Sequence, residues 1–256
     1  MAVRKRTRMT NTEQDAADEY PQADRKRLIL PSPVGRIGTD TLDPEAALLA
    51  QLDASAVMMM GDNPALPRMP KTPTLIDFFT HRFGDITIRH LLNSAKQALE
   101  GGHDETVVMA CLLHDISNGA LIRTDHGYWG AQMIAPYVSE EIAWAVQHHQ
   151  ALRYFADPEV GYAYPESYAK FFGADYVPPA YIRRDAEMAR AHKWYMTSRL
   201  VTLNDVYFFD RAEHINPAMF EDIIGRHFKQ PDEGLGFDGS PVAHMWRTMI
   251  WPNNFL

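Results

Sequence analysis

From residue 74 to residue 250 apolar residues recur at helical spacing, and no stretch alternates apolar with polar long enough to make a strand. A chain patterned this way buries its apolar stripes by packing helix on helix, so the expected fold class is all-α, a helical bundle. Helices are expected at about 74–82, 86–100, 104–116, 126–136, 139–150, 179–210, 217–228 and 240–250. Asp104, Ser139 and Asn216 stand where helix caps belong, and Gly101-Gly102 is a stop signal for the second of these helices. Between helices, residues 156–178 (DPEVGYAYPESYAKFFGADYVPP) form an aromatic and proline-rich insertion, and such loops often cover sites.

Ahead of this body, residues 1–73 read as an N-terminal extension. Residues 1–27 are polar and aperiodic, and residues 28–43 are broken by Pro31, Pro33, Gly35 and Gly38, which suits an extended arm. Asp43 as cap and Pro44 at the first turn open a helix expected over about 44–60, and the prolines after Gly61 return the chain to a loop. The division is therefore an extension over 1–73 and one helical body over 74–256.

Composition narrows the function classes. A net charge of -8 opposes nonspecific binding to nucleic acid or anionic membranes. No apolar run approaches the roughly 20 residues of a membrane helix. The basic N-terminus has no apolar segment behind it, so it is not a secretory signal. A single cysteine, Cys111, excludes an intramolecular disulfide framework and fits a reducing compartment, the cytoplasm. The run Met58-Met59-Met60 reads as packing.

Chemistry concentrates in Ala110-Cys111-Leu112-Leu113-His114-Asp115-Ile116. Two residues able to hold a metal end an apolar helix, where burying either without a partner would cost several kcal/mol. His90 lies upstream on another helix, His126 and His148 lie downstream, and Asp205 sits in the apolar setting LVTLNDVYFF. Antiparallel packing can bring such residues to one point, as helix bundles do for metal cores. His149 competes with His148, and Asp210 with Asp205.

The pattern His90 … His114-Asp115 … His126 … His148 … Asp205 resembles the HD-domain superfamily, in its two-metal branch. The stretches ITIRHLLNSAKQALEGGHDETVVMACLLHDI, HGYWGAQMI and HHQALRYF are similar to HD-domain mixed-valent di-iron oxygenases that cleave organophosphonates, with myo-inositol oxygenase a more distant relative. The resemblance covers about residues 74–210. It implies that His90, His114 and Asp205 hold one metal, that His126 and His148 hold the other, and that Asp115 bridges both. His148 is preferred over His149 because Arg153-Tyr154 then falls at the family's offset. The cofactors so implied are two iron ions, mixed-valent Fe2+/Fe3+, with manganese or another divalent metal as the alternative. Asp115, Arg153 and Tyr154 are the catalytic candidates.

Where the phosphonate oxygenases place phosphate-directed groups, this chain has Leu152, Asn118 and Thr202, and THRFGDIT replaces a tyrosine- and glutamate-bearing loop. Asn118, Leu152, Thr202 and Arg199 are candidates to line a substrate, and Arg153, Arg183, Arg184 and Arg199 candidates to hold an anion. Tyr162, Tyr164, Tyr168 and Tyr176 are lid candidates or ordinary loop aromatics. The expected function is oxidation or cleavage of a small oxygen-rich substrate with dioxygen. The runner-up is a two-metal phosphohydrolase acting on a phosphoester or nucleotide, and a metal-stabilised binding domain ranks third. The expected partners are small molecules, without nucleic acid or membrane, and the oligomeric state is open.

Overall fold

The computed structural model describes residues 67, 69–120, 125–205 and 213–250. The arm expected over 28–43, the helix expected over 44–60 and Asp210 lie outside the described residues. The described chain is helical: α1 (Leu75–His81), α2 (Asp85–Glu100), α3 (Glu105–Leu113), α4 (Ile116–Ala120), α5 (His126–Ile134), α6 (Glu140–Leu152), α7 (Glu166–Phe172), α8 (Ala180–Arg190), α9 (Tyr195–Asn204), α10 (Glu221–His227) and α11 (Ala243–Ile250). Extended pairing among the described residues is limited to one isolated bridge, Asp157 with Tyr162. No helix among them is long and apolar enough to cross a membrane.

Local chemistry accounts for the ends of these helices. Thr74 and Asp77 cap α1 reciprocally, satisfying backbone N–H groups that the first turn leaves open. The Ser139 hydroxyl accepts from Ile142 N at the start of α6, whereas Asp104 stands at its expected cap position without a side-chain cap bond. Gly102, at φ +73, takes the left-handed position that ends α2, and His103 N closes back on Ala98 O.

Helix α3 is the axis of the core. Every residue from Val107 to Leu113 is buried, and α2, α6, α9 and α10 pack around it. A helix apolar on all sides is stable only at the centre of a bundle. Trp246 of α11 closes one end, edge-on to Phe78 and donating its indole N–H to Met133 O. A second apolar cluster, Ala151, Leu152, Ile182, Ala186 and Ala189, joins α6 to α8. Helix α6 therefore buries two faces, one against each cluster.

Two expected helices are broken. The segment expected over 104–116 ends at Leu113, and α4 begins after His114 and Asp115. The segment expected over 179–210 is divided by a turn at 191–194, where His192 stacks on Trp144 of α6 at 4.3 Å. Asp205 leaves α9 in an extended conformation, φ -70 and ψ 102. The first break falls at the His114-Asp115 pair, and the end of α9 turns Asp205 out of helical register.

Candidate metal centre

His90 comes from the middle of α2, His114 and Asp115 from the α3–α4 turn, His126 from the first residue of α5, His149 from α6 and Asp205 from the end of α9. All are buried. His90 Nε2 lies 3.0 Å from His114 Nε2 and 3.3 Å from Asp205 Oδ1. The same Asp205 oxygen is 3.6 Å from His114 Nε2. Asp115 stands between this group and the rest: Oδ2 is 3.5 Å from His90 Nε2, while Oδ1 is 3.0 Å from His126 Nε2 and 3.6 Å from His149 Nε2.

Backbone carbonyls set the imidazoles. Cys111 O accepts from His114 Nδ1 at 2.8 Å, and Val146 O accepts from His149 Nδ1 at 2.6 Å. A carbonyl can only accept, so each ring carries its proton on Nδ1 when neutral and presents the Nε2 lone pair to the cluster. His149 Nε2 is buried without a hydrogen-bond partner. Asn118 Nδ2 donates to Asp115 Oδ2 at 3.1 Å and fixes that carboxylate's plane.

The charges point the same way. Burial pushes the Asp115 carboxyl up, but His114 and His126 outweigh it and hold the group well below the usual carboxylate range. Burial likewise opposes ionisation of Asp205, and His114 and His90 overcome it, so this carboxyl too is lowered. Burial works against charge on His114, yet Asp115 and Asp205 raise its pKa. Burial pushes His149 down to about 4, which keeps its imidazole neutral. Both buried carboxyls are thus lowered by neighbouring imidazoles, a task a bound cation would perform directly.

The donor set fits metal. His90, His114 and Asp205 offer ligand atoms within 4.8 Å of one another, and so do His114, Asp115 and His149. The two groups share His114, and Asp115 belongs to the second while its Oδ2 faces His90 of the first. Neutral imidazole with carboxylate suits iron, manganese and zinc rather than calcium or magnesium.

Placement of the expected residues is uneven. His90, His114, Asp115, His126 and Asp205 converge. His148 does not: its Nδ1 faces Asp185 Oδ1 at 2.8 Å and its ring lies 4.5 Å from Trp144. His149 takes the position expected of His148, because the face of α6 turned to the main core carries Ile142, Ala145, Val146 and then His149. That spacing of three, four and seven was readable in the sequence.

Arg153 reaches the site, with its guanidinium 3.4 Å from His126 Nε2 and over the Tyr168 ring. Arg153, Tyr154, Asn118 and Tyr176 line a cavity of about 280 Å³ beside His126. Leu152, Thr202 and Arg199 do not line it. Leu152 is packed in the α6–α8 cluster, and the Thr202 hydroxyl donates to Arg199 O. Arg199 is fully buried and donates to Leu152 O, Phe155 O and the Tyr195 hydroxyl. Tyr162 is an internal tie, its hydroxyl donating to Arg153 O. Arg183 is engaged by Pro178 O. Cys111 is buried in the core, and burial pushes its thiol up, so it stays protonated.

A buried histidine–aspartate cluster at the centre of a helical body defines a helical metalloprotein. Residues 87–167 match the family model of the HD domain, and HD domains are in general metal-dependent enzymes. No curated protein matches the chain.

Proposed function

We propose that the chain is a metal-dependent oxygenase that uses a dinuclear iron site to oxidise or cleave a small oxygen-rich substrate. The observation that carries the reading is Asp115, whose two carboxylate oxygens face different imidazoles, His90 on one side and His126 and His149 on the other. A carboxylate so placed suits two metals at the roughly 3.5–4 Å separation of dinuclear chemistry. His90, His114 and Asp205 would hold one ion and His126 and His149 the other, with Asp115 shared. Bound there, iron supplies activation of dioxygen and one-electron oxidation of the substrate.

The chain's own side chains supply the rest. Arg153, beside His126, offers a fork of donors to a carboxylate or hydroxyl oxygen on the substrate. Asn118 keeps Asp115 oriented. Tyr154, Tyr176 and Tyr181 wall the cavity and limit water. Among the described lining residues Arg153 is the one guanidinium, and Asp125 adds a carboxylate to the same lining. That balance favours a substrate with at most one negative charge over a phosphate dianion, and so favours oxidation over phosphoester hydrolysis.

The test is metal analysis and electron paramagnetic resonance on protein purified without chelators, followed by oxygen uptake with hydroxy acids, polyols and 1-hydroxyphosphonates. An antiferromagnetically coupled iron pair and substrate-dependent uptake are expected. Phosphodiester hydrolysis with redox-inert metals, without oxygen uptake on any substrate, would transfer the assignment to a phosphohydrolase.

A further inference from the structure

The cavity beside His126 continues outward. It shares Asp125, Gln150, Tyr181 and Ile182 with a second cleft of about 770 Å³ between α5, α6 and α8. The two differ in chemistry. The inner cavity holds Arg153 and Asn118 next to the metal-capable cluster, whereas the outer one adds Tyr128, Trp129, Ala151 and Met188 beside the charged Arg184, Asp185 and Glu187. Trp129 is 37% exposed, Tyr128 48%, Tyr181 49% and Met188 63%. Scattered exposed apolar side chains need no explanation, but large ones gathered around one concavity that opens into a polar site mark a ligand surface.

The helix geometry links the two parts. His126 and Trp129 are three residues apart on α5, so they lie on neighbouring positions of its first turn. Gln150 Oε1 accepts from Gly127 N at 3.0 Å and ties that turn to α6. At the seam the Tyr181 hydroxyl donates to Asp125 Oδ1 at 2.9 Å, so α8 is held against the start of α5.

We propose that the substrate is amphiphilic, with an oxygen-bearing head at His126 and Arg153 and an apolar tail of several carbons lying along Trp129 and Met188 in the outer cleft. This rests on reading the histidine–aspartate cluster as the reacting site. Its test is a binding measurement that turnover does not enter, so the two can fail separately.

The experiment is anaerobic titration calorimetry of the metal-loaded full chain with 2-hydroxyalkanoates, from 2-hydroxybutanoate to 2-hydroxydecanoate. Affinity is expected to rise about fourfold per methylene until the cleft is filled, the increment that burying one CH₂ gives. In Trp129→Ala and in Met188→Ser the dependence on length should flatten, while circular dichroism and metal content stay as in the parent. Affinity independent of length overturns the proposal, as does a length dependence that both variants keep. 1-Octanol serves as a probe without the acid head. If it binds and Trp129→Ala abolishes that binding while no hydroxy acid binds, the tail site is supported and the head assignment falls. If neither probe class binds, the proposal is overturned.

Discussion

Replacing Arg199 with methionine separates a structural guanidinium from one that reads a substrate. The side chain is fully buried and donates to Leu152 O at 3.1 Å, Phe155 O at 3.3 Å, the Tyr195 hydroxyl at 3.1 Å and the Thr202 hydroxyl at 3.2 Å. Its charge partner, Asp157, is 3.8 Å away and also accepts from the Tyr195 hydroxyl. Methionine fills much of the volume but strands Phe155 O just beyond the C-terminal end of α6, whereas Leu152 O keeps the bond it accepts from Phe155 N. One stranded acceptor costs about 1–3 kcal/mol. Breaking a buried ion pair costs about 3–5 kcal/mol, but the Arg199–Asp157 contact is long and Asp157 keeps the Tyr195 hydroxyl as donor, so its share is small. The expected loss is about 2 kcal/mol, read as a shift of the urea midpoint at unchanged slope. Arg199→Lys should recover little, since an ammonium cannot span carbonyls that a planar fork reaches. A loss below about 1 kcal/mol in Arg199→Met would refute the reasoning, because that is the scale of an average substitution.

Metal content distinguishes the two adjacent histidines: His149→Ala should lower the bound metal per chain and His148→Ala should leave it unchanged, while Asp115→Ala should remove both ions. Gly127→Ala places a Cβ 2.7 Å from Gln147 O and 3.0 Å from Val146 O, so α5 must move off α6. A loss of about 1–3 kcal/mol is expected in thermal unfolding, with weaker metal retention through the displaced His126. On the surface, hydrogen bonds from Arg226 and His227 lower the Glu105 carboxyl to about 2 from an unfolded value of 4.5. A depressed acid stabilises the fold above its unfolded pKa and loses that contribution as the pH falls through the folded one. The difference in urea midpoint between the parent and Glu105→Gln should therefore shrink as the pH falls from 4.5 toward 2.

Much of this was legible in the residues, and what was not has physical causes. Helical spacing marked the elements from α1 to α11 apart from α4 and α7, because burying a stripe imposes the period; α7 falls in the stretch 156–178 read as a loop insertion, and α4 follows directly on the His114-Asp115 turn. The break at 191–194 carried no glycine or proline; it is held by His192 stacking on Trp144, a contact between distant segments that local propensity does not encode. His148 and His149 were separable by periodicity, since only the latter continues the stripe of Ile142, Ala145 and Val146. The family offset pointed to His148, whose Nδ1 faces Asp185 rather than the cluster. Thr202 and Arg199 flank Asp205 in sequence, yet the turn of α9 aims them at the end of α6, and sequence adjacency says nothing about aim. The outer cleft had no linear signature, because it forms where α5, α6 and α8 meet.

The match to the HD domain ends at residue 167, but the physical unit does not. Helix α9 supplies Asp205 to the cluster, Ser198 donates its hydroxyl to Ala145 O, and Gln97 Nε2 reaches Leu203 O from α2. A fragment cut at the edges of the matched segment would bare the apolar flank of α3 and α6 and leave the end of α6 without its guanidinium anchor. It would retain the histidine–aspartate pair that names the domain and lack the wall that makes the pair usable. Recognition by likeness and autonomy in folding therefore draw different borders on this chain, and any excised version has to follow the second.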